Sequence, residues 1–137
     1  MDVVLQSFAT GFPVLLLHFC VTLAMLAGGV VLYVFTTPHK DFALVKSGNL
    51  AAAVSLSAAV LSLAIPLAFC MATSVSVGEI VIWGVLAVVV QILVFRLGDL
   101  LLRDLSARIE DGEVAPAVLL AGIKLSVAAI NAAAISG

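Results

Sequence analysis

The sequence predicts an all-α integral membrane protein. Four transmembrane helices form two tandem two-helix hairpin repeats, with short amphipathic cytoplasmic segments between them. Three observations carry this. Hydrophobic residues make up 64% of the 137 residues and charged ones only 10%, where a soluble domain is about a quarter charged. Four apolar stretches each reach the roughly 20 residues that cross a bilayer. A block in the first half of the chain returns, weakened, in the second. The chain reads as one membrane domain over residues 1–137, with repeat 1 at about 5–72 and repeat 2 at about 78–136.

The first helix is expected from about Leu5 to Phe35, with no formal charge between those ends. A cleaved leader would carry a basic start and a shorter apolar run. Here the first charge is Asp2, so the segment is expected to remain as a span. Tyr33 near its end suits a headgroup contact. Gly28-Gly29 suits close helix packing. Thr37-Pro38 then reads as an N-cap with proline in the first turn. It opens a short amphipathic stretch in which Phe42, Leu44 and Val45 rest on the membrane while Lys40, Asp41 and Lys46 face water. Gly48-Asn49 breaks it.

The second helix is expected from about Asn49 to Met71. Ser55/Ala59 and Ala58/Ser62 are small-xxx-small pairs that let helices pack backbone to backbone. Pro66 is tolerable there if neighbours satisfy the carbonyl it frees. A short turn leads to the third helix, from near Glu79. This helix is expected to continue out of the membrane through RLGDLLLRDLSARIED, with Asp99/Arg103 and Asp104/Arg108 spaced for i,i+4 pairs. Gly112 ends it. The fourth helix is expected from about Val114 to Ile135, with Ala121 and Gly122 as further small packing positions.

A shift of 64 residues lays the second helix on the fourth. Gly48 meets Gly112, Ala51 meets Ala115, Val54 meets Val118, Leu61 meets Leu125 and Ser62 meets Ser126, among nine identities in the 21 positions from 48 to 68. Both repeats would then cross the membrane in the same sense, related by an axis along its normal. Basic residues gather in the first and third connections, at Lys40, Lys46, Arg103 and Arg108, with Arg96 close by. The positive-inside tendency puts those connections in the cytoplasm and both termini outside.

The stretch TPHKDFALVKSGNLAAAVSLSAAVLSLAIPLA, followed by AGIKLSVAAINAAAI, resembles the YjfL-like family of small bacterial inner-membrane proteins. The most specific matches are Thr37-Pro38, Gly48-Asn49, Ala51-Ala52-Ala53, Ile65-Pro66-Leu67-Ala68 and Asn131-Ala132-Ala133. The resemblance implies a multi-pass protein of the bacterial cytoplasmic membrane. It brings no reaction and no catalytic residues.

Polar groups inside a membrane are costly and mark candidate sites. Gln91, Asp99, Lys124 and Asn131 form the candidate seam. A symmetric hairpin about Asp111-Gly112 sets Lys124 opposite Asp99 as an ion pair, and Asn131 opposite Gln91 as an amide pair. The bland reading is interhelical glue that fixes register; the sharper one is a polar path for ions. His18 and Arg96 are secondary candidates. For His18 the bland reading is a satisfied packing residue, and for Arg96 a side chain that snorkels to the interface. No metal-ligand spacing, nucleophile elbow or phosphate loop occurs, so no metal, no cofactor and no enzymatic activity are expected. Cys20 and Cys70 read as free thiols acting as small hydrophobes. The net charge of −2 gives no electrostatic footprint for nucleic acid.

The reading is a non-enzymatic, self-associating membrane scaffold or anchor of an envelope or membrane-stress system. Its partners are the bilayer, further copies of the chain, and a cytoplasmic or membrane protein of unspecified identity. The alternative is an oligomeric channel or transporter for small ions or solutes. A buried, mutually paired seam favours the first, and a water-lined seam the second.

Overall fold

The computed structural model describes residues 1–36 and 41–136. Among the described residues six helices follow one another: α1 Asp2–Thr36, α2 Asp41–Lys46, α3 Leu50–Thr73, α4 Val77–Leu101, α5 Arg103–Glu110 and α6 Val114–Ser136. Four of them, α1, α3, α4 and α6, are long and apolar enough to cross a membrane. The expected Thr37-Pro38 cap, with His39 and Lys40, lies outside the described residues.

Local chemistry explains where the helices stop. Gly48 and Gly112, the two glycines matched by the 64-residue shift, have φ of 91° and 89°. An L side chain rarely adopts this left-handed region. At the first, Gly48 N–H donates to the Val45 carbonyl at 3.0 Å and Asn49 N–H to the Leu44 carbonyl at 2.9 Å. At the second, Gly112 N–H donates to Ile109 at 2.9 Å and Glu113 N–H to Arg108 at 3.0 Å. Both are the paired 5→2 and 6→1 bonds of a Schellman helix stop. A short helix, a glycine stop and a long small-residue helix thus occur twice, as α2–α3 and α5–α6.

Starts are capped as well. Asn49 Oδ1 accepts from Ala52 N–H at 3.0 Å, while its Nδ2 donates to the carbonyls of Ile109 at 3.3 Å and Glu110 at 3.1 Å. One side chain therefore caps α3 and also satisfies the end of α5. Ser76 caps α4 by accepting from Glu79 N–H at 3.3 Å, and Glu79 reaches back to accept from Val75 N–H at 2.9 Å. The spacing S-x-x-E is that of a capping box. Glu79 therefore has a local structural task at the start of α4.

The expected single helix from Glu79 through Asp111 is interrupted. Leu102 takes φ −122° and ψ 47° and divides α4 from α5. The break separates Asp99 from Arg103. The expected Asp104–Arg108 pair gives way to Arg108 Nε donating to Glu113 Oε2 at 2.8 Å across the glycine stop. That hydrogen bond, with the charge of Glu113, raises the Arg108 pKa above its already high ordinary value. Ile109 on α5 is fully buried beside Ala51, Ala117 and Leu120.

α3 is the central helix. It packs most extensively on α6, and also on α1 and α4. The sequence places a polar seam between the third and fourth spans, α4 and α6, and the most extensive packing lies beside it, between the two small-residue helices α3 and α6. The physical reason is backbone approach. Ala51, Ala52, Ser55, Ala58, Ala59 and Ser62 are buried on α3, and Ala117, Ala128 and Ala132 on α6. Side chains this small let the helix axes come close, which is how helices gain packing where lipid removes the hydrophobic drive. Ser62 Oγ returns its proton to the Ala58 carbonyl at 2.6 Å, so the buried hydroxyl is satisfied within its own helix. Ala121, in contrast, is half-buried and Gly122 exposed, with nothing within 4 Å of a Cβ placed on Gly122. Gly122 lies outside the packed interior of the bundle.

On the other side of α3, α1 and α4 close the core with Tyr33, Leu63, Leu67, Val88, Ile92 and Phe95. A Cβ on Gly29 would come within 3.3 Å of Val88 Cγ1, so this glycine is where α1 and α4 approach closely. Gly28 beside it faces open space.

Candidate functional site

Apart from the α3 serines, Ser55 and Ser62, the buried polar side chains Gln91 and Lys124 meet between α1, α4 and α6. Lys124 lies ten residues into α6 and is only 6% exposed. Its Nζ donates to the Tyr33 hydroxyl at 2.8 Å. The same ammonium sits 5.0 Å from the Tyr33 ring centroid and 5.2 Å from that of Phe95. The two rings meet edge to face at 5.5 Å. A cation against two ring faces gains from their quadrupoles, more so when water is absent.

Gln91 and Asn131 continue the seam. Asn131 Nδ2 donates to Gln91 Oε1 at 3.2 Å and to the Ala87 carbonyl at 3.3 Å. Gln91 Nε2 donates to the Lys124 carbonyl at 3.4 Å. Gln91 is fully buried, and both ends of its amide find partners. The backbone acceptors at Ala87 and Lys124 tie α4 and α6 together at two heights.

The expected Lys124–Asp99 ion pair is replaced by Lys124–Tyr33. With Asn131 against Ala87 and Gln91, and Lys124 against Phe95, Asp99 falls a turn beyond the ammonium. The break at Leu102 removes the symmetric hairpin on which the expected pairing rested. Asp99 Oδ2 instead lies 3.9 Å from Arg96 Nη1, and Arg96 Nη1 also donates to the Thr36 carbonyl at the end of α1. Arg96 keeps 40% of its side chain exposed against 13% for Asp99. Both stand at the end of α1, beside the charged α5 region.

Tyr33 is the residue sequence reasoning misplaced. Its position near the end of an apolar run suggested a headgroup contact, yet it is 3% exposed in the core. The available signal was Lys124 itself, since a cation in a span calls for an aromatic or hydroxyl partner on a neighbouring helix. His18 is half-buried on α1, and its backbone carbonyl accepts from Thr22 Oγ1 at 2.7 Å. Among the described residues no three His, Cys, Asp or Glu side chains gather as metal ligands. The crevice that reaches Lys124 between α4 and α6 has a volume of about 30 Å³ and is walled chiefly by Val94, Phe95, Leu120, Ile123 and Val127. That is room for about one water.

The fold and the seam define a small polytopic helical membrane protein whose interior polar groups are tied to one another. The family model described as Domain of Unknown Function (DUF350) matches residues 7–135, and the chain belongs to that family. It is 31% identical over 116 residues to the UPF0719 inner membrane protein YjfL of Escherichia coli strain K12, covering 85% of this chain and 88% of the relative. The YjfL protein of Escherichia coli O157:H7 matches to the same extent. No solved structure matches.

Proposed function

We propose that this chain is a non-enzymatic scaffold or anchor of the bacterial inner membrane, self-associating and serving an envelope or membrane-stress system. The observation that carries the reading is the mutual pairing of the polar seam. A path for ions needs polar groups that face water. Here Lys124 is spent on Tyr33 and two rings, Gln91 on Asn131 and a carbonyl, and the adjoining crevice is apolar and small. Groups paired in this way fix helix register, a role well attested for buried polar residues. The inner-membrane name of the relatives supports the location. The one-sided distribution of Lys46, Arg103 and Arg108 supports both termini outside. The twice-used helix–glycine–helix unit supports descent of the two hairpins from one.

The test is ion flux through the purified protein in liposomes, with Lys124→Ala alongside. The scaffold reading expects flux no greater than in protein-free vesicles for both. Flux that Lys124→Ala abolishes would establish the channel or transporter instead. Reporter fusions at the C-terminus decide the orientation, and a cytoplasmic signal there reverses it.

A further inference from the structure

α1 is too long for the bundle it serves. Its 35 residues extend about 52 Å at 1.5 Å per residue, against a hydrocarbon core of about 30 Å. Its packing starts late. Met25 lies against Gly84 and Gly29 against Val88, so α1 runs parallel to α4, and the same offset brings Val77, where α4 begins, level with His18. Every residue from Asp2 to Leu17 is exposed, and His18 is the first that is not. About 24 Å of helix therefore projects past the end of the bundle at which α3 stops and α4 starts.

The projecting piece is two-sided. At 100° per residue, Val4, Leu5, Phe8 and Phe12 share one face, and Phe8 stacks on Phe12 at 5.2 Å between ring centroids. Asp2, Gln6 and Thr10 form a stripe on the other, with Val3 at its edge. Pro13 lies just beyond, inside the helix. A proline has no N–H for the carbonyl four residues back, so this is where a helix bends at low cost.

We propose that residues 2–12 form an interfacial anchor, bent at Pro13 and lying on the lipid surface at that end of the bundle. The occupant of its apolar face is the acyl–headgroup boundary of the bilayer. Three features select lipid. The segment continues directly from the lipid-facing part of α1, so the bilayer is adjacent without any association step. A polar stripe opposite an aromatic face is the division an in-plane helix needs. The segment also carries a single charged side chain, Asp2, so it holds none of the opposite-charge pairs that would set the register of a paired helix. The inference rests on the four helices spanning the membrane and is independent of the scaffold reading.

Spin labels placed singly at Phe8→Cys, Leu5→Cys and Gln6→Cys, in a Cys20→Ser background, test it in vesicles of neutral and anionic phospholipid. A label at Leu93→Cys, on the exposed face of α4, reports separately whether the bundle spans. The expected result is oxygen-rich collisions at positions 5, 8 and 93 and nickel-chelate collisions at position 6. Labels at 5, 6 and 8 all reached by the nickel chelate would leave the tip in water and overturn the anchor. All three in oxygen-rich surroundings would make α1 one long tilted span, and dipolar broadening at 5 and 8 would make the occupant a second copy. Either result also overturns it. Nickel-chelate access at 93 would instead remove the spanning premise.

Discussion

Lys124 and Tyr33, 91 positions apart in the chain, meet at 2.8 Å in the buried core. Tyr33 supplies the hydrogen-bond acceptor and one of the two rings that hold the ammonium. Removing the hydroxyl therefore costs more than removing the charge. Tyr33→Phe should destabilise the bundle by about 1–2 kcal/mol, in the range of hydrogen bonds to charged groups and of the stronger polar contacts between membrane helices. Lys124→Met should cost less, because a thioether suits the crevice between Phe95 and Leu120. In a double-mutant cycle of thermal unfolding in mild detergent, Tyr33→Phe should cost less in the Lys124→Met background than in the parent, because the two side chains touch. Lys124→Met and Asp99→Asn should be additive to within about 0.5 kcal/mol, as expected for groups that do not touch. Strong coupling of Lys124 to Asp99 would refute the observed pairing.

The matched glycine stops offer a paired test. Each holds a left-handed φ that costs an L residue roughly 1–2 kcal/mol. Nothing lies within 4 Å of a Cβ at Gly48 or Gly112, so steric crowding adds nothing. Gly48→Ala and Gly112→Ala should therefore lose similar stability, about 1–2 kcal/mol each. Asn at either position should recover part of it, since Asn tolerates this region better. A loss at one site only would mean the two stops are not equivalent.

The spans were legible because each rests on a one-dimensional signal: about 20 apolar residues between glycines, caps and charges. The stops at Gly48 and Gly112 were legible for the same local reason. What packs against what was not. Small residues on α3 announced close packing, but their partner could have been α4, α6 or another copy, and only the three-dimensional arrangement selects α6. The seam was half legible. Gln91 and Asn131 could be matched by counting from the turn because two amides a turn apart tolerate some slip. Lys124 and Asp99 could not, since the Leu102 break shifts the register by about a turn, and a long side chain can choose among several neighbours. Tyr33 was missed because end-of-span aromatics usually face headgroups.

Asn49 joins two elements distant in sequence. Its Oδ1 caps α3, and its Nδ2 serves the last carbonyls of α5. Asn49→Ala should cost about 1 kcal/mol for the lost cap, and more for the carbonyls released. Asn49→Asp should retain the cap and lose only the α5 contacts. Hydrogen exchange separates the two. Amides of residues 103–110 should exchange faster in both variants, while those of the first turn of α3 should exchange faster only in the alanine variant.

Ala59 and Gly122 distinguish packing within one chain from packing between chains. Ala59 is 1% exposed in the cluster with Tyr33, Leu63 and Phe95. A leucine there adds three carbon atoms to a filled core, and overpacking of this kind costs about 1–3 kcal/mol. Ala59→Leu should lower the unfolding temperature of the protein at every detergent dilution, because the damage lies inside the bundle. Gly122 faces outward beside Ser126, Ala129 and Ala133, all exposed on the same side of α6. Its open surroundings mean that Gly122→Leu should leave the fold of one chain intact. If copies associate through this face, the added side chain holds two helix backbones apart, as bulky residues do at small-residue contacts. Native mass measurement in mild detergent should then show oligomers for the parent and for a Gly122→Ala control, and mainly monomer for Gly122→Leu. A parent that runs only as monomer would remove self-association altogether, and oligomers that survive Gly122→Leu would place the contact on a different face.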